Sequence, residues 1–588
     1  MGIRKNLKKK IKEKTEKVSK TSAAFVAEVL RTEGVDKVYT IPGVHSLELL
    51  DAFSSAGPEP LLVTHEASAV FMADAAARFT GKVGVFFVVP GPGLTNAMTG
   101  LATSMLDNIP VVCLVAGLRK NIEKSFMMHE IPQAGMCSPI VKDYLVPENS
   151  EELCSLMEKA FRTARQGPAG PVVLELPPEV MESPYPSGRY NARQAQSVPD
   201  VLTSAEALRA VEMLLQNDRT MIYAGRGAFA ASRQLMEMAE LLGAPVATSI
   251  SGRGIIPEDH ELSLGYGWGP AGTMAAQTVF ESADLVFAIG VRFSEMATAG
   301  FGMPEPAKMI HLDVDQNALH ANMKAELALR ADSGSALDQI LRQLRKRLKN
   351  PRDGLRPQMR DKRGTSGYAA PVRRGSQVPD PSSVYRVLRK LMPRDGILVA
   401  DTGNHMLFSL EDYSVFSPDT YFAPVDYQSM GYAVPAAVAL SMIDHGRKVV
   451  AAVGDGCFLM SGIELLTAAR HGADVVVLLF ADRSLGIIRE TQSKIYASEC
   501  CVDLEPPDYA HLARSLKARH MSVKKAGEIE PVLKQALSTR GPVLVVVDTH
   551  YDRQSRYAQA TMKAASRGVD LSSKLRMGAR LAGRFIGR

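Results

Sequence analysis

The sequence predicts an α/β protein of three parallel-sheet domains, and three observations carry that expectation. Short apolar runs of strand length alternate with helix-length amphipathic segments across residues 21–550, the pattern of parallel sheets covered by crossover helices. Several of those runs end in glycine turns, as at Gly91-Pro92-Gly93, Gly225-Arg226-Gly227 and Gly454-Asp455-Gly456. The pattern of the first third also returns in the last. Gly91-Pro92-Gly93 is followed 20 residues later by the run VVCLV, much as Gly454-Asp455-Gly456 is followed by VVVLL, and GPVVL at 170–174 echoes GPVLV at 541–545. Two related domains therefore flank a different one.

The segment 448–485 is read as strand, helix, strand: an apolar run at 449–453, a helix carrying Leu465, Leu466 and Ala469, and a second run at 475–480 ending in Ala481-Asp482-Arg483-Ser484. A parallel crossover brings the carboxyl ends of both strands to one sheet edge, where ligands of open α/β sheets sit. Asp455 and Asp482, 27 positions apart, are thus expected to be neighbours. Two carboxylates beside a glycine turn and a helix start suit a magnesium ion that also holds a diphosphate, because magnesium takes hard oxygen ligands and fills its remaining positions from phosphates. The N–H groups of the helix start take up the remaining phosphate charge.

The other segments follow in order. A helix at 23–32, a strand at 37–41, a strand at 61–63 and a helix opening at Glu66 are expected in the first domain. A carboxylate at a helix start gains from the helix dipole, which by itself accounts for an isolated glutamate there. The stretch 183–199 is expected to be a linker. In the middle domain, 222–227 and 284–290 are strand-then-glycine patterns, which most often just close a strand–helix junction. The stretch 349–381, rich in Arg, Pro and Gly, is expected to be a mobile second linker. The third domain opens near 382, with Asp401-Thr402-Gly403-Asn404-His405-Met406 after a strand and QSMGYAVPAAVAL at 428–440.

Composition narrows the classes. The chain has 588 residues, 46% of them apolar, enough for three or four domains of ordinary size. Its six cysteines show no metal spacing and no CxxC pair, as expected of reduced thiols in a cytoplasmic protein. Apolar stretches stay below the 18 residues of a membrane span, so neither spanning nor secretion is expected. The net charge of +6 resides at the ends: residues 1–20 carry +7, residues 551–588 carry +7, and the body between them carries −8. A nucleic-acid-binding body would carry its basic patch on the fold itself. The leader reads as a solvated segment. The tail, with Arg576, Arg580, Arg584 and Arg588 four apart, reads as a basic helix for subunit packing or solvent.

Glycine-aspartate-glycine, then some 25 residues, then a polar residue after a second strand resembles the metal and diphosphate motif of thiamine diphosphate (ThDP) enzymes. HEASAVFMADAAARFTGK, followed by PGPGLTNAMTGLATSMLDNIPV, resembles acetolactate synthase and its relatives. The resemblance covers roughly residues 20–550. It implies a pyrimidine-binding domain (21–182), a middle Rossmann-like domain (200–348) and a diphosphate-binding domain (382–550), between the leader (1–20) and the tail (551–588). It implies Glu66 as the residue that hydrogen-bonds the aminopyrimidine, with the Gln428 carbonyl facing the same ring and Met430 beneath the cofactor, forcing its folded shape. It implies Gly403, Asn404, His405, Gly454, Gly456 and Cys457 around the diphosphate, and Asp455, Asp482 and the Ser484 carbonyl as magnesium ligands, with Ala481-Asp482 where the family usually has Asn-Asn. SGRGIIPEDHELSLGYGWGPAGT resembles the middle domain of acetolactate synthases, which makes FAD a candidate structural cofactor. A homodimer or homotetramer is implied, since the family's cofactor lies between subunits.

Three positions that the family uses around the second 2-keto acid differ here. The glutamine position matches His129, the arginine position Met296 and the tryptophan position Thr491. Without a guanidinium, the natural bidentate partner of a carboxylate is missing. The expectation is therefore 2-keto acid decarboxylation with carboligation to a non-standard acceptor, with His129 as a proton-transferring residue and His45 and His65 as lesser candidates. The alternatives are a lyase of the 2-hydroxyacyl-CoA lyase and oxalyl-CoA decarboxylase type, and a non-catalytic ThDP-binding regulatory homologue.

Overall fold

The computed structural model describes residues 21–119, 124–192, 200–360, 378–496, 498–551 and 553–567. The apolar runs form three six-stranded sheets in which every strand pair is parallel. The first holds β1 (Lys37–Thr40), β2 (Glu59–Leu62), β3 (Gly84–Val88), β4 (Val111–Ala116), β5 (Asp143–Leu145) and β6 (Val172–Leu176), in the order β2-β1-β3-β4-β6-β5. The middle one holds β7 (Thr220–Ala224), β8 (Val246–Thr248), β9 (Ser263–Tyr266), β10 (Leu285–Ile289), β11 (Met309–Asp313) and β12 (Leu327–Arg330), in the order β12-β11-β10-β7-β8-β9. The third holds β13 (Ile397–Ala400), β14 (Tyr421–Phe422), β15 (Val449–Gly454), β16 (Val475–Ala481), β17 (Arg519–Val523) and β18 (Val543–Asp548), in the order β14-β13-β15-β16-β18-β17.

Renumbered from their own first strands, the outer two sheets have one and the same order. The repeat seen in the sequence is thus a repeat of topology, with β4 answering to β16 and β6 to β18. The middle sheet, read from β9, runs in the order 3-2-1-4-5-6 of dinucleotide-binding folds. The central strands β4 and β16 are buried along their whole length, as continuous Val and Leu runs require when helices cover both faces.

The chain forms two compact units. One comprises Met1–Val198, Tyr427–Asp444 and Ile463–His471, and the other Pro199–Asp426, His445–Gly462 and Gly472–Arg588. The stretches 427–444 and 463–471, which follow β14 and β15 in the chain, fall in the first of these units. The helix expected between β15 and β16 is divided as well, into Asp455–Ser461, a short 3-10 turn at Gly462–Glu464, and Leu465–His471. Gly462 ends the first piece, and a Cβ there would lie 2.6 Å from the Phe458 ring.

Residues 1–20, 193–199, 361–377 and 568–588, which hold the leader, the end of the first linker, most of the second linker and the arginine-bearing end of the tail, lie outside the described residues. The rest of the second linker departs from the expected mobility. The Arg352 N–H donates to the Leu241 carbonyl and that of Leu355 to the Gly243 carbonyl, both at 2.9 Å. Leu355 is buried, and Met359, one helical turn on, packs in the same apolar cluster. The tail also begins as structure: a helix at Arg556–Arg567 buries Tyr557, Ala558 and Ala560 in the core of the second unit.

In the first unit, the loop before the helix Ala433–Ile443 is pinned by buried polar groups. The helix Glu66–Thr80 carries Asp74 and Arg78 one turn apart. Arg78 donates to Asp74 Oδ1 at 2.6 Å and to Asp107 Oδ2 at 2.7 Å, with all three side chains buried. The Tyr432 hydroxyl donates to Asp74 Oδ1 at 2.8 Å, and the Thr103 hydroxyl to Ser429 Oγ at 3.0 Å. These bonds fix the ends of 429–432, the segment that holds Met430. A hydrogen bond to a buried charge contributes about 1.5–3 kcal/mol. Tyr432→Phe is therefore expected to lower stability by about 2 kcal/mol, read as a lower urea midpoint, and an unchanged midpoint would show that Asp74 does not depend on the phenol.

Candidate active site

The residues singled out from the sequence fall into two groups, one in each unit. In the first unit, His65 ends an extended segment and caps the helix Glu66–Thr80, its Nδ1 accepting from the Ala67 N–H at 3.1 Å. That bond explains His65 as a structural residue. Glu66 follows as the first helical residue and is 9% exposed. The Asn96 side-chain amide, from the second turn of the helix Pro92–Leu106, donates to Glu66 Oε2 at 3.0 Å. Gln428 takes a left-handed backbone conformation with φ 56°, and Gly431 follows with φ 88°. Met430 is half-buried, which sets it apart from a core methionine.

His129 also lies in the first unit, with φ 71°. Its backbone lies against Gly91, where a Cβ would come within 2.8 Å of the His129 carbonyl oxygen. The ring meets that of His45, with centroids 5.2 Å apart and planes tilted by 40°. Burial, and then the neighbouring His129, hold the His45 imidazole below its ordinary value. His129 Nδ1 is buried with no partner. The structure thus brings His45 and His129 together, while His65 Nδ1 caps its helix.

The second unit holds the other group. Asp455 follows β15 and Asp482 follows β16, and Gly454 is registered opposite Phe480, so the two carboxylates stand at adjacent strand ends as the crossover predicts. Asp455 is buried and accepts from the Arg483 N–H at 2.8 Å and from the Tyr509 hydroxyl. Asp482 accepts from the Ser484 N–H at 3.2 Å and from its hydroxyl at 3.1 Å. Burial, reinforced by the negative charge of Asp455, pushes the Asp482 carboxyl up to about 6. Carboxylates forced together in this way call for a cation. Among the described residues, no three His, Cys, Asp or Glu side chains gather into a metal site, so the pair offers two carboxylates and leaves further ligands to backbone, water or phosphate.

Beside the pair, the helix Asn404–Asp412 begins at Gly403, whose φ of 142° is one that L side chains rarely adopt. A Cβ on Gly403 would lie 2.8 Å from the His405 ring, and one on Gly454 3.1 Å from it. His405 is therefore sealed beneath two glycine turns. Burial lowers its imidazole to about 3, and its Nε2 has no partner. Gly456 and Cys457 open the helix Asp455–Ser461, and the Cys457 thiol donates to the Thr402 carbonyl at 3.1 Å. Asn404 and Asp482 both border Gly486, where a Cβ would lie 3.2 Å from the amide and 2.5 Å from the carboxylate. A helix start between two side-chain-free turns fits the phosphate end of a cofactor.

Sequence reasoning passed over Asn96, although it stands inside the quoted PGPGLTN motif. It also passed over Tyr509, which reaches Asp455 from 54 residues away with no local pattern to mark it. Met296 and Thr491, read as altered acceptor positions, are both engaged locally. The Tyr557 hydroxyl donates to the Met296 carbonyl at 2.7 Å, and the Thr491 hydroxyl to the Ile487 carbonyl at 2.8 Å.

Three family models match the chain in turn. They are the N-terminal TPP binding domain of thiamine pyrophosphate enzymes at residues 20–136, the central domain at 208–340, and the C-terminal TPP binding domain at 401–547. The chain belongs to the thiamine pyrophosphate enzyme family. Within that family it is similar to acetolactate synthase large subunits. That of Haemophilus influenzae is 30% identical over 566 residues, covering 94% of this chain and 98% of its own. The isozyme 3 large subunit of Escherichia coli is 30% identical over 545 residues, covering 90% and 95%. A probable acetolactate synthase large subunit of Methanocaldococcus jannaschii is 28% identical over 553 residues, covering 90% and 92%. As a thiamine pyrophosphate enzyme, the chain is a ThDP-dependent catalyst of the acetolactate synthase-like kind, and the groups around His405 and the Asp455–Asp482 pair lie within the C-terminal TPP binding match. Among the described residues, no helix is long and apolar enough to cross a membrane.

His405 gives this thiamine pyrophosphate enzyme a testable pH dependence. Its folded value of about 3 lies below the ordinary 6.5, so the unfolded chain takes up a proton that the folded chain refuses. Stability is undiminished by this group above about pH 6.5 and falls as the pH drops toward about 3, by at most about 1.4 kcal/mol per pH unit. His405→Gln is expected to make the urea-unfolding stability less steep in pH between about 6 and 4, by up to one proton. An equal slope in both proteins would show that the ring titrates normally.

Proposed function

We propose that this enzyme decarboxylates a 2-keto acid and joins the remaining fragment to a carbonyl acceptor other than a second 2-keto acid. When bound, ThDP supplies a nucleophilic carbon and an electron sink for the decarboxylation. The chain's part is to orient, neutralise and move protons. Asn96 holds Glu66 Oε2, which leaves Oε1 as the oxygen to meet the aminopyrimidine and carry a proton to and from it. The Gln428 carbonyl is assigned to the same ring, and Met430 to the floor beneath the cofactor. Gly403, Asn404, His405, Gly454, Gly456 and Cys457 are assigned to the diphosphate. A magnesium ion would be held by Asp455, Asp482 and the Ser484 carbonyl, with phosphate and water completing its shell.

The observation that carries the altered acceptor is at Met296. A carboxylate on the acceptor calls for a guanidinium fork, and this position instead holds a thioether packed against the core of the second unit, its carbonyl bonded by Tyr557. His129, paired with His45, is the proposed proton-transferring residue toward the acceptor. A cytoplasmic homodimer or homotetramer completes the reading.

Purified protein with ThDP, magnesium and pyruvate is expected to release carbon dioxide and to form a carbon–carbon bond only when an aldehyde or ketone acceptor is added. Acetolactate from pyruvate alone would overturn the acceptor assignment. Turnover confined to an acyl-CoA substrate would favour the lyase reading. Glu66→Gln is expected to lower kcat by about 100- to 10,000-fold with the fold intact, and unchanged turnover would remove Glu66 from the chemistry. Tyr509→Phe takes away the phenol that orients Asp455 and is expected to raise the magnesium concentration for half activity by about 10- to 100-fold. An unchanged magnesium requirement would place the ion elsewhere.

A further inference from the structure

The middle sheet has the strand order of a dinucleotide-binding fold, whose ligand would lie in the crevice at the carboxyl ends of β7 and β10. Such a site needs open space, N–H donors at a glycine turn and room for the pyrophosphate to approach. None of the three is left here. After β7 the Gly225 N–H donates to the Ile289 carbonyl at 2.9 Å, and the Gly227 N–H to the Gly290 carbonyl at 3.2 Å. A Cβ on Gly225 would lie 2.2 Å from the Gly290 oxygen, and one on Gly227 2.8 Å from the Gly290 Cα. The glycines of the two turns therefore exist to pack on each other, and the donors a diphosphate would use are spent between them.

The crevice itself is filled by side chains. Trp268, fully buried, meets Tyr223 edge-on at 4.5 Å and Phe293 at 6.2 Å and stacks on Phe280 at 5.2 Å, while Tyr223 stacks on Phe293 at 5.7 Å. Tyr557, from the helix Arg556–Arg567, closes the remaining space over Met296. Among the described residues, a cavity of about 10 Å³ is bordered by Tyr223, Thr248, Tyr266, Trp268, Met296 and Tyr557. Sites for drug-sized ligands run from about 300 to 1,000 Å³, and a flavin dinucleotide needs the upper part of that range. Arg292, at the mouth of β10, is paired with Asp426, which also accepts from the Ser294 hydroxyl at 2.6 Å. The Tyr223 hydroxyl is buried without a protein partner, which suits a water molecule.

We infer that the middle sheet retains the dinucleotide-binding strand order without the site. Its crevice holds the chain's own aromatic side chains, the C-terminal helix closes it through Tyr557, and FAD is not a cofactor of this enzyme. The inference stands apart from the proposed reaction, because it concerns neither the ThDP groups nor the acceptor.

Trp268 is the chain's single tryptophan, so its emission reports on this crevice. The experiment titrates the ThDP- and magnesium-loaded protein with FAD, follows tryptophan emission after inner-filter correction, and measures flavin retained through gel filtration. The expected result is no saturable quenching and no retained flavin. Saturable quenching with about one flavin per chain, or protein that purifies yellow, would overturn the inference. Tyr557→Ala supplies the second measurement. It is expected to red-shift Trp268 emission and make it more accessible to acrylamide, still without FAD binding. Unaltered emission would show that Tyr557 does not close the crevice, and FAD binding by this variant would show that the glycine turn is not spent.

Discussion

The third sheet is organised around a repulsion. Two carboxylates are carried to adjacent strand ends by a register that sets Gly454 against Phe480, in surroundings that disfavour charge, and the Asp482 carboxyl rises to about 6 in consequence. The local structure serves to hold that charge. The Arg483 N–H turns onto Asp455 at the cost of a left-handed φ of 56°, Tyr509 reaches across from another helix, and Ser484 doubles its bonds to Asp482. Gly486 admits the carboxylate where any larger residue would meet its oxygen at 2.5 Å. Donors of this kind orient a carboxylate without neutralising it, which is the condition for binding a cation that arrives with its own phosphate ligands.

The same device, a strand ending in glycine, has opposite outcomes in the two sheets of the second unit. After β15 the glycine faces His405, whose ring fills the space and leaves one buried nitrogen without a partner. After β7 the glycine faces another glycine, and the facing N–H and carbonyl groups satisfy each other. A turn whose donors are already bonded has no electrostatic reason to attract a phosphate. The glycines look alike in sequence. What distinguishes them is the residue across the gap, which lies 49 or more positions away.

That difference explains what was legible in the chain. The strands around Asp455 and Asp482 were readable because the crossover rule acts over one strand–helix–strand unit, and the repeat was readable because the strand-and-glycine patterns recur along the chain, here as one strand order in two sheets. Glu66 was readable as a helix start. The bonds that fix these elements were not. Asn96 reaches Glu66 from 30 residues away, Tyr509 reaches Asp455 from 54, and Tyr432 reaches Asp74 from 358. Periodicity reports which face of an element is apolar and has no term for which polar tip meets which. For the same reason the sequence presented 349–381 and 551–588 as a mobile linker and a tail, although Leu355 and Tyr557 are core residues.

The C-terminal helix shows how such a misreading arises. Its exposed positions include Arg556 and Lys563, and it buries Tyr557, Ala558 and Ala560. Arg553, just ahead of it, donates to Glu411 at 2.7 Å and to Asp412 at 3.2 Å, and Arg386 donates to Asp412 at 2.7 Å. Glu411 and Asp412 lie at the carboxyl end of the helix whose amino end carries Asn404 and His405. Acidic side chains at a helix carboxyl end oppose the dipole, so the two arginines offset a local penalty on the element that presents His405. Arg253 adds to this by donating to the Ser409 and Tyr413 carbonyls at the same end. Arg553, near the end of the chain, is thus part of what holds the helix that presents His405 in place.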